Sequence, residues 1–228
     1  MKNILLIAAH PDDEVLGCGG TVARYAREGH NVSVVILGEG ITSRYAKRHM
    51  ANRAKELKIL KEQTKKANKF LGVKNVYTHD LPDNRFDTVA LLEIVKIIEK
   101  QISKVKPEII LTHTGSDLNI DHVITHRAVL TATRPVPGQT VREIYAFEIP
   151  SSTEWAFQQF DSVFCPNIFV DIKSTLNMKI KAMRIYESES RKFPHPRSTE
   201  NLKALAMFRG STACLEAAEA FELIRKIV

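Results

Sequence analysis

Short apolar segments of strand length alternate with amphipathic segments along much of the chain. Residues 4–9 are entirely apolar, residues 32–37 are apolar apart from Ser33, and residues 109–111 are again apolar. A parallel strand that helices cover on both faces has no polar side, so runs of this kind predict buried strands. Residues 89–103 instead carry apolar side chains at helical spacing, which predicts an amphipathic helix.

The complete pattern predicts an α/β fold. The predicted strands cover residues 4–9, 31–37, 75–78, 109–112, 143–149 and 167–172. The predicted helices cover residues 20–29, 89–103, 117–133 and 174–190, a long basic segment that ends at Gly72, and a last helix from about Ala213 to the end. Alternating strands and helices favour a Rossmann-like, doubly wound, mainly parallel sheet with helices on both faces. No linker or repeat interrupts the pattern, so we expect a single domain, residues 1–228.

The first predicted strand ends abruptly in a polar segment. His10 is followed by Pro11 and then by Asp12, Asp13 and Glu14. Ligands of open α/β sheets bind outside the carboxyl ends of the strands, and an imidazole among carboxylates suits zinc or a similar divalent ion. A catalytic zinc typically takes three protein ligands, which leaves at least one of these carboxylates free to act as a base. The alternative is that these acidic residues only cap the next helix.

A second polar cluster follows the fourth predicted strand. It begins at His113, and Asp117 is the expected cap of the helix that comes next. His122 and His126 are four residues apart on that helix and therefore share one of its faces. Because the helix starts at the same sheet edge as His10, a site built from His10, a carboxylate and His122 is geometrically reasonable.

The chain is basic, with a formal net charge of +7 and a pI of 9.3. Eleven of its lysines and arginines lie between Arg44 and Lys74, but apolar residues at helical spacing interrupt them. These cations are therefore expected to form the solvated face of a helix, and we expect no nucleic acid partner. Attraction of an acidic or phosphorylated substrate is the better explanation of the charge.

Cysteine usage and targeting signals indicate the cytoplasm. The three cysteines are widely spaced and odd in number, so we expect reduced thiols, with Cys18 a small residue in a turn. The N-terminal pattern is not that of a signal peptide, and no apolar run is long enough to span a membrane. The oligomeric state stays open, and a homo-oligomer is compatible with the sequence.

Two motifs together resemble the PIG-L (LmbE-like) family of zinc-dependent N-acetylglucosaminyl deacetylases. The first is Ala-His-Pro-Asp-Asp-Glu at residues 9–14, with Gly-Gly-Thr at 19–21, and the second is Asp-Leu-Asn-Ile-Asp-His at 117–122. The similarity continues in residues 194–198, 209–210 and 218–221, and so extends over nearly the whole chain. The resemblance implies the Rossmann-like fold, a catalytic metal and deacetylase activity.

Residue roles are implied by the same resemblance. His10, Asp13 and His122 match the three metal ligands, and Asp12 matches the general base. Asp121 matches an acidic residue that orients a ligand or a catalytic group. Zinc is the expected metal, although Fe²⁺ or Co²⁺ would accept the same ligands.

The resemblance has one departure. Asn119 stands where many members have a histidine that stabilises the oxyanion or protonates the leaving amine. Asp12 could return that proton itself; otherwise His113, His126 or His195 could supply it. Among the histidines we favour His195, because Pro194 and Pro196 hold it in a non-helical segment beside Arg197.

Several polar residues are candidate substrate contacts. Arg85 lies in a predicted turn beside the turn former Asp83. Asn119 and Arg197 lie within the similar segments described above, residues 117–122 and 194–198. The loop after the second strand adds three further candidates, Glu39, Ser43 and Arg44. Trp155 is the only tryptophan and could stack on a sugar ring, although packing in the core is the more common role.

These observations predict a cytoplasmic, metal-dependent hydrolase that removes acetyl from an N-acetylated amino sugar or its conjugate. One alternative is a deacylase of a non-sugar amide or a thiol-conjugate precursor, which would use identical metal chemistry. A dinucleotide-binding protein is a second alternative, but the glycine spacing after the first strand does not fit one. A non-catalytic binding module is a third, against which the presence of Asp12 beside the ligands argues.

Overall fold

The computed structural model of the protein describes residues 1–45, 53–160 and 162–228. The strands in these ranges are β1 (Asn3–Ala8), β2 (Asn31–Gly38), β3 (Asn75–Leu81), β4 (Ile109–His113), β5 (Glu143–Phe147), β6 (Ile168–Asp171) and β7 (Ala218–Lys226). The helices are α1 (Asp13–Arg27), α2 (Ala54–Leu71), α3 (Leu91–Val105), α4 (Ile120–Ala132), α5 (Leu176–Ile185) and α6 (Thr199–Thr212). No helix in the described ranges is both long and apolar enough to cross a bilayer.

The strands form one sheet in the order β3-β2-β1-β4-β5-β7-β6. The four pairs from β3 to β5 are parallel, and β7 runs antiparallel to both of its neighbours. The prediction of a mainly parallel α/β sheet is therefore confirmed. The chain proceeds outward from β1 to β3 and then returns to β4 on the other side of β1. The carboxyl ends of β1 and β4 thus flank the switch point, where open sheets of this kind bind ligands.

Alternate residues of β1 enter the two halves of the core. Ile4 and Leu6 belong to the cluster that packs against α1, α2 and α5. Leu5 and Ile7 belong to the cluster on the opposite face, which packs against α3 and α4. Because the side-chain period of a strand is two, an apolar run of this length is buried on both faces. Helices on both faces of the sheet were predicted, and this prediction is confirmed.

Helix α1 begins at Asp13, well before the predicted helix at residues 20–29, and is kinked at Cys18. The backbone of Cys18 departs from helical geometry, with φ −148° and ψ 28°. Gly17 precedes the kink, and a Cβ added there would lie 2.3 Å from the ring of Phe147. Helix and sheet approach so closely at this point that only glycine fits. Cys18 is thus a buried residue of a helix rather than of a turn.

A buried ion pair satisfies the backbone groups that the kink exposes. The amides of Gly20 and Thr21 donate to the carboxylate of Glu219, over 2.9 Å and 2.6 Å. Lys179 donates to the carbonyl of Leu16 over 2.8 Å and lies 2.7 Å from Glu219. Residues of α5 and β7 therefore hold the helix that carries the polar segment after β1.

The end of the chain differs from the prediction. The prediction of a last helix from about Ala213 is wrong, because residues Ala218–Lys226 form the strand β7. The nearest helix is Thr199–Thr212. Alanine, glutamate and leucine dominate the start of β7 and favour helix locally, but strand pairing with β5 and β6 prevails.

Two further predictions need correction or qualification. Asp117 does not cap α4; Asn119 is the N-cap, and its side chain accepts a hydrogen bond from the amide of Asp121. The predicted basic helix is present as α2, which ends at Leu71 before Gly72 at φ 87°. Its expected beginning, residues 46–52, lies outside the described residues.

Candidate metal centre

The polar segment after β1 turns sharply into α1. Asp12 has a φ of 97°, a left-handed conformation that is strained for a residue with a side chain and is typical of functional sites. Asp13 accepts the amide of His10 over 2.8 Å, and Glu14 accepts the amide of Asp12 over 3.1 Å. The carboxylate of Asp12 makes no cap hydrogen bond. Helix capping therefore does not account for these acidic residues.

His10, Asp13 and His122 come together at the switch point. One ligand atom from each of these buried residues lies within 4.8 Å of the other two. Oδ2 of Asp13 lies 3.3 Å from Nε2 of His122 and 3.5 Å from Nδ1 of His10. Two imidazole nitrogens and one carboxylate are a donor set that a divalent metal accepts.

His122 supplies the clearest sign that this cluster fits a metal. Neither of its ring nitrogens has a hydrogen-bond partner among the described residues, although the ring is buried. Nδ1 lies 3.1 Å from Oδ1 of Asp117, but without hydrogen-bond alignment. Burial opposes ionisation, yet the charges of Asp13 and Asp117 raise the pKa of His122 to about 9. The site therefore attracts positive charge, which a metal ion provides in place of the proton.

A second group of candidate ligands, His10, Asp83 and Asp121, shares His10 with the first. Nε2 of His10 lies 2.8 Å from Oδ2 of Asp121 and 3.3 Å from Oδ1 of Asp83. The amides of Asn84 and Phe86 donate to Asp121, over 2.7 Å and 2.9 Å. A ligating histidine commonly gives its second N–H to a carboxylate. Asp121 thus orients His10, whose Nδ1 faces Asp13.

A comparison with protein families shows which family has this arrangement of residues. Residues 5–133 match the family model PIG-L, described as GlcNAc-PI de-N-acetylase. The matched segment contains both polar clusters and is more than half of the chain. The chain belongs to the PIG-L family.

Individual relatives agree with this assignment. The deacetylase YaiS of Escherichia coli is 30% identical over 196 residues, which cover 82% of this chain and 91% of YaiS. A 4-oxalmesaconate hydratase of Pseudomonas putida is 28% identical over 200 residues, covering 80% of this chain and 72% of the hydratase. The solved N,N'-diacetylchitobiose deacetylase of Pyrococcus horikoshii superposes with a TM-score of 0.77 at 21% identity, covering 98% of this chain and 84% of that one. Deacetylases are thus prominent among the PIG-L relatives.

Asp12 stands beside the cluster and is paired with Arg197. Nη1 of Arg197 lies 2.8 Å from Oδ2 of Asp12 and 3.5 Å from Oε2 of Glu189. Glu189 also pairs with Arg44 over 2.6 Å. Burial raises the pKa of Asp12 well above its ordinary value, and the charge of Arg197 opposes that rise. A raised pKa makes this carboxylate a stronger base than an ordinary one.

The other two histidines near the cluster are engaged in structural contacts. Nε2 of His113 accepts the amide of Ala9 over 2.9 Å, and its ring stacks on His122 at a centroid distance of 4.0 Å. Burial and the charge of His122 lower the pKa of His113 well below its ordinary value. Nδ1 of His126 lies 2.8 Å from the carbonyl oxygen of His113, so His126 is not part of either ligand group in the described residues.

The other residues predicted to contact substrate or to supply a proton lie around the ligand cluster, some buried and some exposed. His195 contacts the ring of Trp155 at 5.7 Å, and its Nδ1 accepts the amide of Arg197. Arg85 is exposed, directly between the two residues whose amides hold Asp121. Ser43 contacts Asp83: its amide and its hydroxyl donate hydrogen bonds to the carboxylate of Asp83, over 3.1 Å and 2.5 Å. Glu39 is buried in the same loop and accepts a short hydrogen bond from Thr42.

Sequence reasoning missed two acidic residues of this site. Asp83 was interpreted as a turn former, yet it is buried and reaches His10. Asp117 was interpreted as a helix cap, yet its carboxylate accepts the hydroxyls of Ser152 and Thr153 and lies against His122. A signal existed for Asp117 in its position, because it follows the carboxyl end of β4, which pairs with the strand that precedes His10.

Proposed function

We propose that this chain is a cytoplasmic, zinc-dependent hydrolase that removes the acetyl group from an N-acetylated amino sugar or its conjugate. The buried cluster of His10, Asp13 and His122, with Asp12 beside it, is the observation that carries the proposal. The relatives supply the reaction class, and the free, partly exposed thiols support a reducing compartment.

His10, Asp13 and His122 would hold the metal. Their nitrogen and oxygen donors suit zinc, and the same set accepts Fe²⁺ or Co²⁺. When bound, the metal would lower the pKa of a water molecule and polarise the amide carbonyl. Asp121 forms a hydrogen bond with Nε2 of His10, and Asp117 lies beside Nδ1 of His122. Asp121 thus keeps the imidazole of His10 in place for the ligand role, and Asp117 places a negative charge beside His122.

Asp12 would take the proton from the attacking water. It lies next in sequence to a ligand, in a strained backbone conformation that a rigid turn maintains. Its raised pKa brings it closer to neutrality, where a general base works best. The guanidinium of Arg197 places a positive charge 2.8 Å from the carboxylate of Asp12 and limits the rise in the pKa of Asp12.

The departing amine also needs a proton, and Asp12 is well placed to return the one that it accepted. Nε2 of His113 already accepts the amide of Ala9, so His113 is a poor donor. His195 remains the alternative, although it lies beyond Arg197 at the rim. The side-chain oxygen of Asn119 caps α4, and we assign its amide nitrogen to the substrate as a hydrogen-bond donor.

Arg85 and Arg197 would contact the sugar or its carrier. Arg85 is exposed beside the turn that holds Asp121, so its guanidinium can reach a ligand without breaking a buried ion pair. Arg197 already bridges Asp12 and Ser151 through hydrogen bonds. Guanidinium groups at both positions suit hydroxyl, carboxylate or phosphate groups of a substrate.

The hydratase relative supports a second candidate function. An enzyme with this fold and 28% identity carries a hydratase name, so the same polar cluster is a candidate for adding water to a carbon–carbon double bond. A deacylase of a non-sugar amide is the third candidate, because amide hydrolysis uses the same groups. The substrate, not the metal centre, distinguishes the three.

The test is product analysis with purified, metal-loaded protein. Acetate release would be measured from N-acetylglucosamine, diacetylchitobiose, N-acetylated sugar nucleotides and non-sugar acetamides. Loss of the carbon–carbon double bond would be measured with unsaturated dicarboxylates. Each assay would be repeated with chelator and with Asp12→Asn, which removes the base but keeps the size of the side chain. Glu93→Gln, a similar change on the exposed side of α3, is the matched control.

We expect release from at least one sugar, abolished by chelator and lowered on the order of 10²–10⁴-fold by Asp12→Asn. Glu93→Gln should behave as the wild type. Turnover of an acetamide or an unsaturated acid alone would replace the sugar proposal by one of the alternatives. Turnover that survives the chelator would reject the metal centre itself.

A further inference from the structure

Trp155 is partly exposed at the rim of the proposed site. It lies in a single turn of 3-10 helix, Glu154–Ala156, and 39% of the residue is accessible to solvent. A tryptophan is usually buried for most of its surface, so an exposed indole connected to the proposed site is an informative exception. It is also the single tryptophan of the chain.

Hydrogen bonds connect the turn that carries Trp155 to both sides of the site. Ser152 and Thr153 donate to the carboxylate of Asp117, which lies against His122. Ser151 accepts from Nε of Arg197 over 2.8 Å. The segment before Trp155 is thus held on one side by a residue next to the predicted ligands.

On the other side, the indole contacts the segment that reaches the general base. The rings of Trp155 and His195 lie edge to face, with centroids 5.7 Å apart and planes at 75°. Nδ1 of His195 accepts the amide of Arg197, and the guanidinium of Arg197 reaches Asp12. An aromatic pair of this geometry is favourable, so His195 fixes the orientation of the indole. The indole thus has an aromatic neighbour although part of it is exposed.

We infer that Trp155 is the stacking platform for the pyranose ring of the substrate. The C–H face of a pyranose is apolar, and an exposed indole can bury it while the hydroxyl groups remain in water. The acetamide at C2 would then point from the ring toward Asp12 and the metal ligands. The inference rests on the proposed function and adds a specificity-determining residue, one that binds the ring rather than the reacting bond.

The kinetic test compares Trp155→Ala with Trp155→Phe in the metal-loaded enzyme. For a sugar substrate we expect KM to rise about tenfold in Trp155→Ala, with kcat nearly unchanged and with partial recovery in Trp155→Phe. Phe70→Ala, at another partly exposed aromatic residue on α2, should leave both constants unchanged. An unchanged KM in Trp155→Ala would overturn the inference.

The fluorescence of the single tryptophan gives a test that does not depend on turnover. Diacetylchitobiose and N-acetylglucosamine would be titrated into metal-loaded Asp12→Asn, with acetamide as the ligand that lacks a ring. A saturable change in emission with the sugars but not with acetamide supports the platform, and no change with a sugar that the wild type deacetylates rejects it. If no sugar releases acetate, the proposed function fails; a saturable emission change would then still support the platform, and its absence would reject it.

Discussion

Nη1 of Arg197 lies 2.8 Å from Oδ2 of Asp12, although the two residues are 185 positions apart in the chain. The positive charge opposes the rise in the pKa of Asp12 that burial causes. Removing it in Arg197→Ala should raise that pKa further, so less of the base is ionised at low pH. We therefore expect the acid limb of the kcat/KM profile to move to higher pH, with a larger loss of activity at pH 6 than at pH 9.

Arg197→Lys is the matched control for this prediction. Lysine keeps the charge but loses the planar group that also reaches Ser151. Its acid limb should lie between those of the wild type and Arg197→Ala. Identical pH profiles for all three proteins would show that Arg197 does not act on the base.

Metal removal should lower the melting temperature. A ligand that binds only the folded chain stabilises it by about 2.7 kcal/mol at a hundredfold excess over its Kd. The shift on adding chelator should be present in the wild type and in His126→Gln, and absent in His122→Gln. His126 is four residues along the same helix but bonds to the backbone of His113. A metal-dependent shift that persists in His122→Gln would exclude His122 as a ligand.

Lys179→Met should destabilise the fold strongly. Lys179 and Glu219 are both buried, and breaking such a pair typically costs about 3–5 kcal/mol because one charge stays buried. Urea unfolding would measure the free energy of unfolding. The control is Lys173→Met, which removes an exposed pair with Glu216 and should cause little measurable change. Similar losses in the two variants would contradict the role of the buried pair.

Tyr186→Phe should have an effect on stability that depends on pH. Burial raises the pKa of Glu14 from 4.5 to about 7, and Tyr186 donates a hydrogen bond to it over 2.6 Å. Between those pH values the folded chain holds a proton that the unfolded chain has released, so stability falls as pH rises. The hydrogen bond favours ionised Glu14, and its loss raises the pKa further. The variant should therefore lose about 1.5–3 kcal/mol above pH 7 and less at pH 5.5.

The free energies of unfolding of wild type and Tyr186→Phe at pH 5.5 and 8.5 are the required measurement. The difference between the proteins removes the contributions of all groups that the substitution leaves unaltered. A larger loss at pH 5.5 than at pH 8.5 would reverse the assigned sign and contradict the role of Glu14.

The central strands were predictable because their apolar runs match full burial. Local sequence pattern alone predicts β1, β2 and β4. The polar residues that follow β1 and β4 then meet at one edge of the sheet, because these strands are parallel neighbours. His10 and His122 lie there together for that reason. Local pattern and topology thus account for the position of the candidate site.

The rest depends on contacts between distant segments. The start of β7 contains strong helix formers, and only its position between β5 and β6 makes it a strand. Asp83 approaches His10 because the loop after β3 folds over the sheet edge, which no local signal encodes. The kink at Cys18 likewise requires a partner, Glu219, from the far end of the chain.

The distance in sequence between Thr21 and Glu219 has a consequence for synthesis on the ribosome. These residues are 198 positions apart, so the second half of α1 has no partner for its first amides until β7 has been made. β7 also enters the sheet between two strands that precede it, leaving β6 without a neighbour until then. The nascent chain can therefore build the parallel strands early, yet the amides of Gly20 and Thr21 receive their partner only after β7 has been made.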